Sequence, residues 1–319
     1  MIEKLLIICL LLILAILTYF KIADHFNIID RPNERSSHKQ VTLRGGGVIF
    51  FVGVIFYFLF FGFHYPLFFI GLTIIAFISF LDNIKPVPSR YRIIIHFASM
   101  LMMFYDCGFY SLPWYFSVIA LIVSTGIINA YNFMDGINGI TGGYSLVVMG
   151  SFWYINNFLY PFIDNSLIYI ISLSLLVFNF FNFRKKARCF AGDVGSVSIA
   201  FIILFLLGKL IIETRDITYI IILLVYGVES ILTIAHRLML KENIFEAHRK
   251  HMYQIMSNEL HIPQIYVLLI YTAVQAAVMS GYFAFKSFGT GYFIILAFVT
   301  GIIYIAFMHK YYKLHESKL

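Results

Sequence analysis

Charge is what this sequence lacks most. Only 12% of its 319 residues are Asp, Glu, Lys or Arg, against roughly 25% in a soluble domain, while 61% are hydrophobic and the mean hydropathy is +0.87. That balance excludes a water-soluble globule. Cysteine is scarce too: Cys9, Cys107 and Cys189 are isolated and odd in number, with no Cys-x-x-Cys pair. No disulfide framework or zinc ribbon follows from them. No His-Glu-x-x-His occurs, which removes a zinc membrane protease, and no glycine run has Walker or Rossmann spacing. Internal repeats, low-complexity tracts and an extramembrane domain are also missing. The net charge of +7 does not make a nucleic-acid binder, because the basic residues fall in short clusters between apolar runs.

What is present is a series of those runs. A membrane span needs about 20 apolar residues. On that measure helices are expected near 5–23, 46–63, 65–81, 93–105, 113–131, 140–157, 166–183, 195–213, 217–235, 264–284 and 290–308. Several are rich in Ile, Val and Phe, but their length and lack of alternation exclude strands. The first run follows Lys4 as a signal peptide would, yet it is long for one and no small-residue cleavage site follows, so it is read as retained. The expectation is an all-α, polytopic integral membrane protein of about eleven transmembrane helices, one domain over residues 1–319 whose cytoplasmic loops form the active site.

Orientation follows from the 23 Lys and Arg residues. Nineteen fall in alternate loops on one face; only Lys4, Lys209, Arg215 and Lys286 fall on the other. The basic face is read as cytoplasmic, with the N-terminus outside and the C-terminus inside. Every polar constellation shares that face, whereas a transporter is expected to carry ionisable groups at mid-membrane and on both faces.

The densest constellation is Asn129-Ala130-Tyr131-Asn132-Phe133-Met134-Asp135-Gly136-Ile137-Asn138-Gly139-Ile140-Thr141-Gly142-Gly143, between two apolar runs. A charged group near the bilayer centre costs about 3 kcal/mol on insertion scales, so Asp135 is a functional candidate. Turn chemistry accounts for Gly136, Asn138 and Gly139. It does not account for Asn129 and Asn132, which with Asp135 recur every third residue and share one helix face. Such a face of acceptors suits a metal or phosphate ligand.

Four further loops join it. Asp30 to Lys39 leads into Thr42-Leu43-Arg44-Gly45-Gly46-Gly47, where glycines beside Arg44 would let backbone N–H groups approach an anion; a basic anchor for lipid head groups is the plainer reading. Asp82-Asn83-Ile84-Lys85 follows, with Asp82 either capping or pairing with Lys85. Arg184 to Ser196 contains Asp193 between Gly192 and Gly195, at the start of a span. There it is either an N-cap or a ligand for a hard divalent cation. The last loop carries His248-Arg249-Lys250-His251-Met252-Tyr253-Gln254. Its histidines have no third zinc ligand at suitable spacing, and with Arg and Lys they suit a pyrophosphate better than a metal, a solvated basic helix end being the alternative. Carboxylates for Mg²⁺ together with basic groups for phosphates are the equipment of phosphoryl transfer.

Taken together, Asn129 to Gly143, Gly192 to Ser196 and His248 to Gln254, with Asp30 to Gly47 upstream, resemble the polyprenyl-phosphate N-acetylhexosamine-1-phosphate transferases of glycosyltransferase family 4. The His-Arg-Lys-His-x-Tyr-Gln form looks most like the O-antigen-initiating branch. The resemblance implies transfer of N-acetylhexosamine 1-phosphate from a UDP-sugar to undecaprenyl phosphate with release of UMP, in the bacterial inner membrane, early in lipopolysaccharide or cell-surface polysaccharide synthesis. It implies Mg²⁺, or Mn²⁺ in its place, with Asp193 the principal ligand and Asn132 and Asp135 beside it. Asp82 would position or deprotonate the lipid phosphate. His248, Arg249 and His251 would bind pyrophosphate or sugar, and Arg44, Gly45, Gly46, Lys85, Asn129 and Asn138 would complete the substrate site.

Two departures matter. Asn83 stands where the family has a second carboxylate, which keeps open a catalytically impaired lipid-carrier-binding relative; a transporter is the other alternative. Asn138 stands where the GlcNAc and MurNAc branches have Asp. The sugar has no readable code in the loops. Lipid-facing and subunit-facing surfaces are alike in composition, so a homodimer stays open.

Overall fold

The structure is a computed structural model describing residues 1–32, 40–243 and 249–316, with side chains to residue 312. Each of the eleven apolar runs is a helix. In order these are α1 (Ile2–His25), α2 (Val48–Phe61), α3 (Pro66–Ile84), α4 (Ser89–Cys107), α5 (Trp114–Met134), α6 (Ile140–Tyr154), α7 (Asn165–Asn182), α8 (Gly192–Thr214), α9 (Leu224–Met239), α10 (Gln264–Ala284) and α11 (Gly289–Glu316). Between α1 and α2 lies a two-residue hairpin, β1 (Ile29–Asp30) antiparallel to β2 (Thr42–Leu43). The protein is an all-α, multi-pass membrane protein.

Among the described residues, eight helical segments are long and apolar enough to cross a bilayer. The other three fall short for separate reasons. The 14 residues of α2 are apolar throughout but reach only about 21 Å at about 1.5 Å per residue. α4 has 19 residues but carries Arg90, Arg92 and Asp106. α6 has 15, prolonged by one wider helical turn over Ile155–Leu159.

Helix boundaries follow local chemistry. Pro66 opens α3, and Pro113 and Pro263 immediately precede α5 and α10, where a fixed φ and a missing N–H do no harm. Asp164 caps α7 by accepting the Ser166 N–H at 2.9 Å. Gly108, at φ +90°, ends α4 in the left-handed region.

Burial assigns the layers. α8 is apolar on every side and 83% of its spanning window is buried, against 11% for α11. A helix apolar all round belongs inside, and α2 to α6 all pack on α8. The outer faces present Trp114, Ile122, Phe180, Ile231 and Phe298, each more than 60% exposed, the surface a lipid environment covers. The two ends of the bundle differ: Lys4, Asp106, Lys209 and Glu213 mark one, and Arg44, Asp82, Asp135 and Asp193 the other.

Candidate active site

The site is built around the first turn of α8. Residues 43–47 run alongside 189–191: the Phe190 N–H donates to the Leu43 carbonyl at 2.8 Å, Gly46 N–H to Phe190 at 2.8 Å and Gly47 N–H to Ala191 at 3.1 Å. The glycines permit this approach. A Cβ added to Gly47 would sit 2.3 Å from Gly195 Cα, and Gly45 adopts φ +83° under the Tyr19 hydroxyl. The N–H groups of Gly46 and Gly47 are therefore committed to carbonyls. Close helix packing, not an anion cradle, explains those two glycines.

This packing sets Arg44 on Asp193, with Nη2 3.1 Å from Oδ2, while the Tyr19 hydroxyl holds the Arg44 carbonyl at 2.5 Å. Asn83, from the end of α3, accepts the Asp193 N–H at 2.9 Å and so caps α8 from a neighbouring helix. The residue that departs from the family pattern thus has a defined job. Beside it Asp82 is buried, and its partner is Arg92 rather than Lys85: Nη1 lies 2.5 Å from Oδ2, and the Val87 N–H donates to Oδ1 at 2.6 Å. Lys85 is exposed. The carboxyl groups of Asp82 and Asp193 are close enough to interact directly.

The end of α5 closes the opposite wall. Asn132 Oδ1 accepts the Ser196 hydroxyl at 2.9 Å, tying α5 to α8. Asp135, just past the helix, accepts the Thr141 hydroxyl at 2.6 Å. Burial pushes its carboxyl up to about 6; the Thr141 hydrogen bond opposes this and the nearby Asp193 charge adds to it. Asn129, a turn earlier, is exposed. Asn138 gives its amide to the Arg184 carbonyl at 2.9 Å and its backbone N–H to Gln264 at 3.1 Å, binding the α5–α6 turn to α7 and α10.

The third wall is the turn over residues 249–259. His251 opens a short helical turn, Met252–Gln254, in a reciprocal capping box with Gln254. It is 1% exposed, its ring 6.1 Å from that of Phe133. Arg249 pairs with Glu259 at 3.0 Å and stays partly exposed. The Tyr253 hydroxyl donates to the Phe133 carbonyl at 2.8 Å. His248 lies outside the described residues.

Sequence reasoning missed Arg92, Thr141 and Glu229. Glu229 left a signal, being the one carboxylate between Asp216 and His236. Arg92 and Thr141 left none, since their partners are fixed only by packing.

No three His, Cys, Asp or Glu side chains among the described residues form a closed metal cage. The donors that meet are two carboxylates, Asp193 and Asp82, with Asn132 and Asp135 around them. Mg²⁺ is commonly held by one or two carboxylates and completed by substrate phosphates and water, so this all-oxygen set fits it.

Residues 65–211 match the profile of glycosyl transferase family 4, a segment that includes Asp82, Asn132, Asp135 and Asp193. A Bacillus subtilis protein named a probable undecaprenyl-phosphate N-acetylglucosaminyl 1-phosphate transferase is 26% identical over 89% of this chain and 88% of its own length. Proteins of Yersinia pestis and Escherichia coli K12, both named undecaprenyl-phosphate alpha-N-acetylglucosaminyl 1-phosphate transferase, are 27% and 25% identical, each over 59% of this chain and 56% of its own length. By its motifs, by the matched segment that holds its carboxylates and by these relatives, the chain is similar to glycosyl transferase family 4.

Proposed function

We propose that this protein transfers N-acetylhexosamine 1-phosphate from a UDP-sugar to undecaprenyl phosphate, releasing UMP. The observation that carries the reading is the meeting, at one end of the bundle, of Asp82, Asp135 and Asp193 with Arg44 and Arg92, next to helices whose outer faces suit lipid. That is where a membrane-dissolved phosphate and a water-soluble nucleotide sugar can meet. The relatives' names supply the acceptor and the group transferred.

In the proposed reaction an oxygen of the lipid phosphate attacks the sugar-bearing phosphorus. The new O–P bond forms as the bond to the oxygen bridging to the uridine-side phosphate breaks, and UMP departs with that electron pair. A phosphate monoester is already ionised at neutral pH, so positioning matters more than a general base. Asp82 and Arg92 would orient the acceptor, and Arg44 and Arg249 would offset charge on the phosphates. Burial of His251 makes it part of the seat of the 249–259 turn. Asp193, with Asp82 and with Asn132 and Asp135 alongside, would hold Mg²⁺ or Mn²⁺, which supplies charge neutralisation at the diphosphate.

The same reading places the protein in the bacterial inner membrane with eleven crossings, the N-terminus outside and the site facing the cytoplasm, as the distribution of Lys and Arg supports. It places the reaction at the first membrane step of O-antigen or related polysaccharide synthesis. Pairing of two copies through lipid-facing helices is compatible with it and does not enter the chemistry.

The test is transfer of radiolabel from UDP-GlcNAc and UDP-FucNAc to undecaprenyl phosphate by purified protein, with and without Mg²⁺. Metal-dependent lipid product is expected, and the better donor identifies the sugar. No lipid product and no UMP release across a wider donor panel would defeat the proposal.

A further inference from the structure

One buried carboxylate has no part in the reaction just described. Glu229 lies in α9, 3% exposed, and is the one carboxylate of that helix. A carboxylate in such a place is strongly unfavourable unless hydrogen-bonded, and its partners come from two other segments. One oxygen accepts the Tyr253 N–H at 3.2 Å, and the other accepts the Tyr271 hydroxyl of α10 in a short hydrogen bond. His251 Nδ1 stands 3.8 Å from Oε1. Tyr253 in turn reaches the Phe133 carbonyl, and its ring fills the space over Gly136, where an added Cβ would lie 2.1 Å from the hydroxyl. A chain of contacts therefore runs from α10 through Glu229 and Tyr253 to both sides of Asp135.

The rear of the same turn is held differently. Ile255 packs with Tyr304, Met308 and Tyr312 of α11 in a separate apolar cluster. Apolar packing secures the back of the turn, and Glu229 makes polar contacts on the side facing α5. Losing Glu229 should then displace the front of the turn without unfolding the bundle.

Building on the function proposed above, we infer that Glu229 is a positioning residue: it holds the turn carrying Arg249 and His251 against the Phe133–Asp135 end of α5, and so sets the site's grip on the donor diphosphate. It touches neither substrate nor metal.

The test compares Glu229→Ala, Glu229→Gln and Tyr271→Phe in the full chain, reconstituted in lipid nanodiscs. Glu229→Ala should raise KM for the UDP-sugar about tenfold or more, with kcat reduced less than about threefold and acceptor KM nearly unchanged, the size expected for losing hydrogen bonds to a charged group. Glutamine keeps an acceptor for the Tyr253 N–H, so Glu229→Gln should return donor KM to within about threefold of the parent, and Tyr271→Phe should raise it about threefold. Hydrogen exchange of peptides covering 249–259 should rise in Glu229→Ala while α8 stays protected. Unchanged donor KM in Glu229→Ala, or Glu229→Gln as impaired as Glu229→Ala, overturns the inference. Should the alanine variant fail to fold, parent-like donor KM and exchange in Tyr271→Phe overturn it instead. A parent protein that transfers nothing defeats the function proposal, and the exchange comparison then decides the positioning role alone.

Discussion

The two ends of this helix bundle carry similar residues and use them differently. At the end away from the site, polar groups mostly bond within their own turn. Asp164 caps Ser166 and Asp216 caps Thr218, each two residues on. Lys209 pairs with Glu213 four residues on, and Asn156 accepts the Phe162 and Ile163 N–H groups. Asp106, which accepts the Phe68 N–H across to α3, is an exception. At the site short-range pairs such as Asp82 with Arg92 are joined by bonds that span the chain: Arg44 to Asp193 is 149 residues, Asn83 to Asp193 is 110 and Asn132 to Ser196 is 64. Local bonds finish helix ends, whereas long-range bonds among charged groups hold several helices in one geometry, which a reaction centre needs.

The largest effect that can break this comparison comes from paired removals of a carboxylate. Asp193→Asn should lower lipid-linked product at least about 100-fold while the protein still inserts and purifies as a single species, as expected for a group that organises transferring phosphates. Asp216→Asn, at the opposite end, should leave transfer within about twofold of the parent, as a half-buried cap remote from the site should. Full activity in Asp193→Asn would remove the metal assignment.

A second pair separates capping from chemistry. Asn83→Ala and Asp164→Ala each delete an acceptor at a helix N-terminus, worth about 1 kcal/mol apiece, so thermal unfolding in detergent should shift down by similar amounts. Only Asn83→Ala should also reduce turnover, about tenfold, because α8 carries Asp193 on the capped N–H. Equal activity in the two variants would reduce Asn83 to a structural cap.

The smallest effect concerns pH. The Asp135 carboxyl is raised from 3.8 to about 6, so the folded protein binds that proton more tightly than the unfolded chain. Stability from this group is fully present below the unfolded value near 3.8 and is lost as pH rises through about 6. Asp135→Asn should therefore unfold at a higher temperature than the parent at pH 8, the gap closing toward pH 4. The difference in pKa bounds the effect at about 3 kcal/mol. A gap independent of pH would show that burial is not what raises this carboxyl.

Much of this was legible in the chain itself. The eleven helices were visible as apolar runs because a bilayer demands length and composition, which need no partner to recognise. Asp193 and Asp135 stood out because charge beside such runs is rare. Glycines 45–47 are visible as special in the sequence, but their use is not: Gly46 and Gly47 serve close contact with Cys189 and Gly195, on a segment some 145 residues away, while Gly45 lies against Tyr19. Asp82 could have paired with Lys85 by spacing, and only the way α4 folds back on α3 brings Arg92 to it.

By itself, then, the sequence determined that the chain lives in a membrane, where its helices lie and which polar residues share one face, since hydropathy and alternation act locally along the chain. Only the tertiary structure decided that Asn83 caps Asp193, that Arg92 balances Asp82 and that Glu229 holds the 249–259 turn. Those contacts arise from packing between distant segments, where angstrom-scale approach through glycine and the need to compensate each buried charge choose the partners.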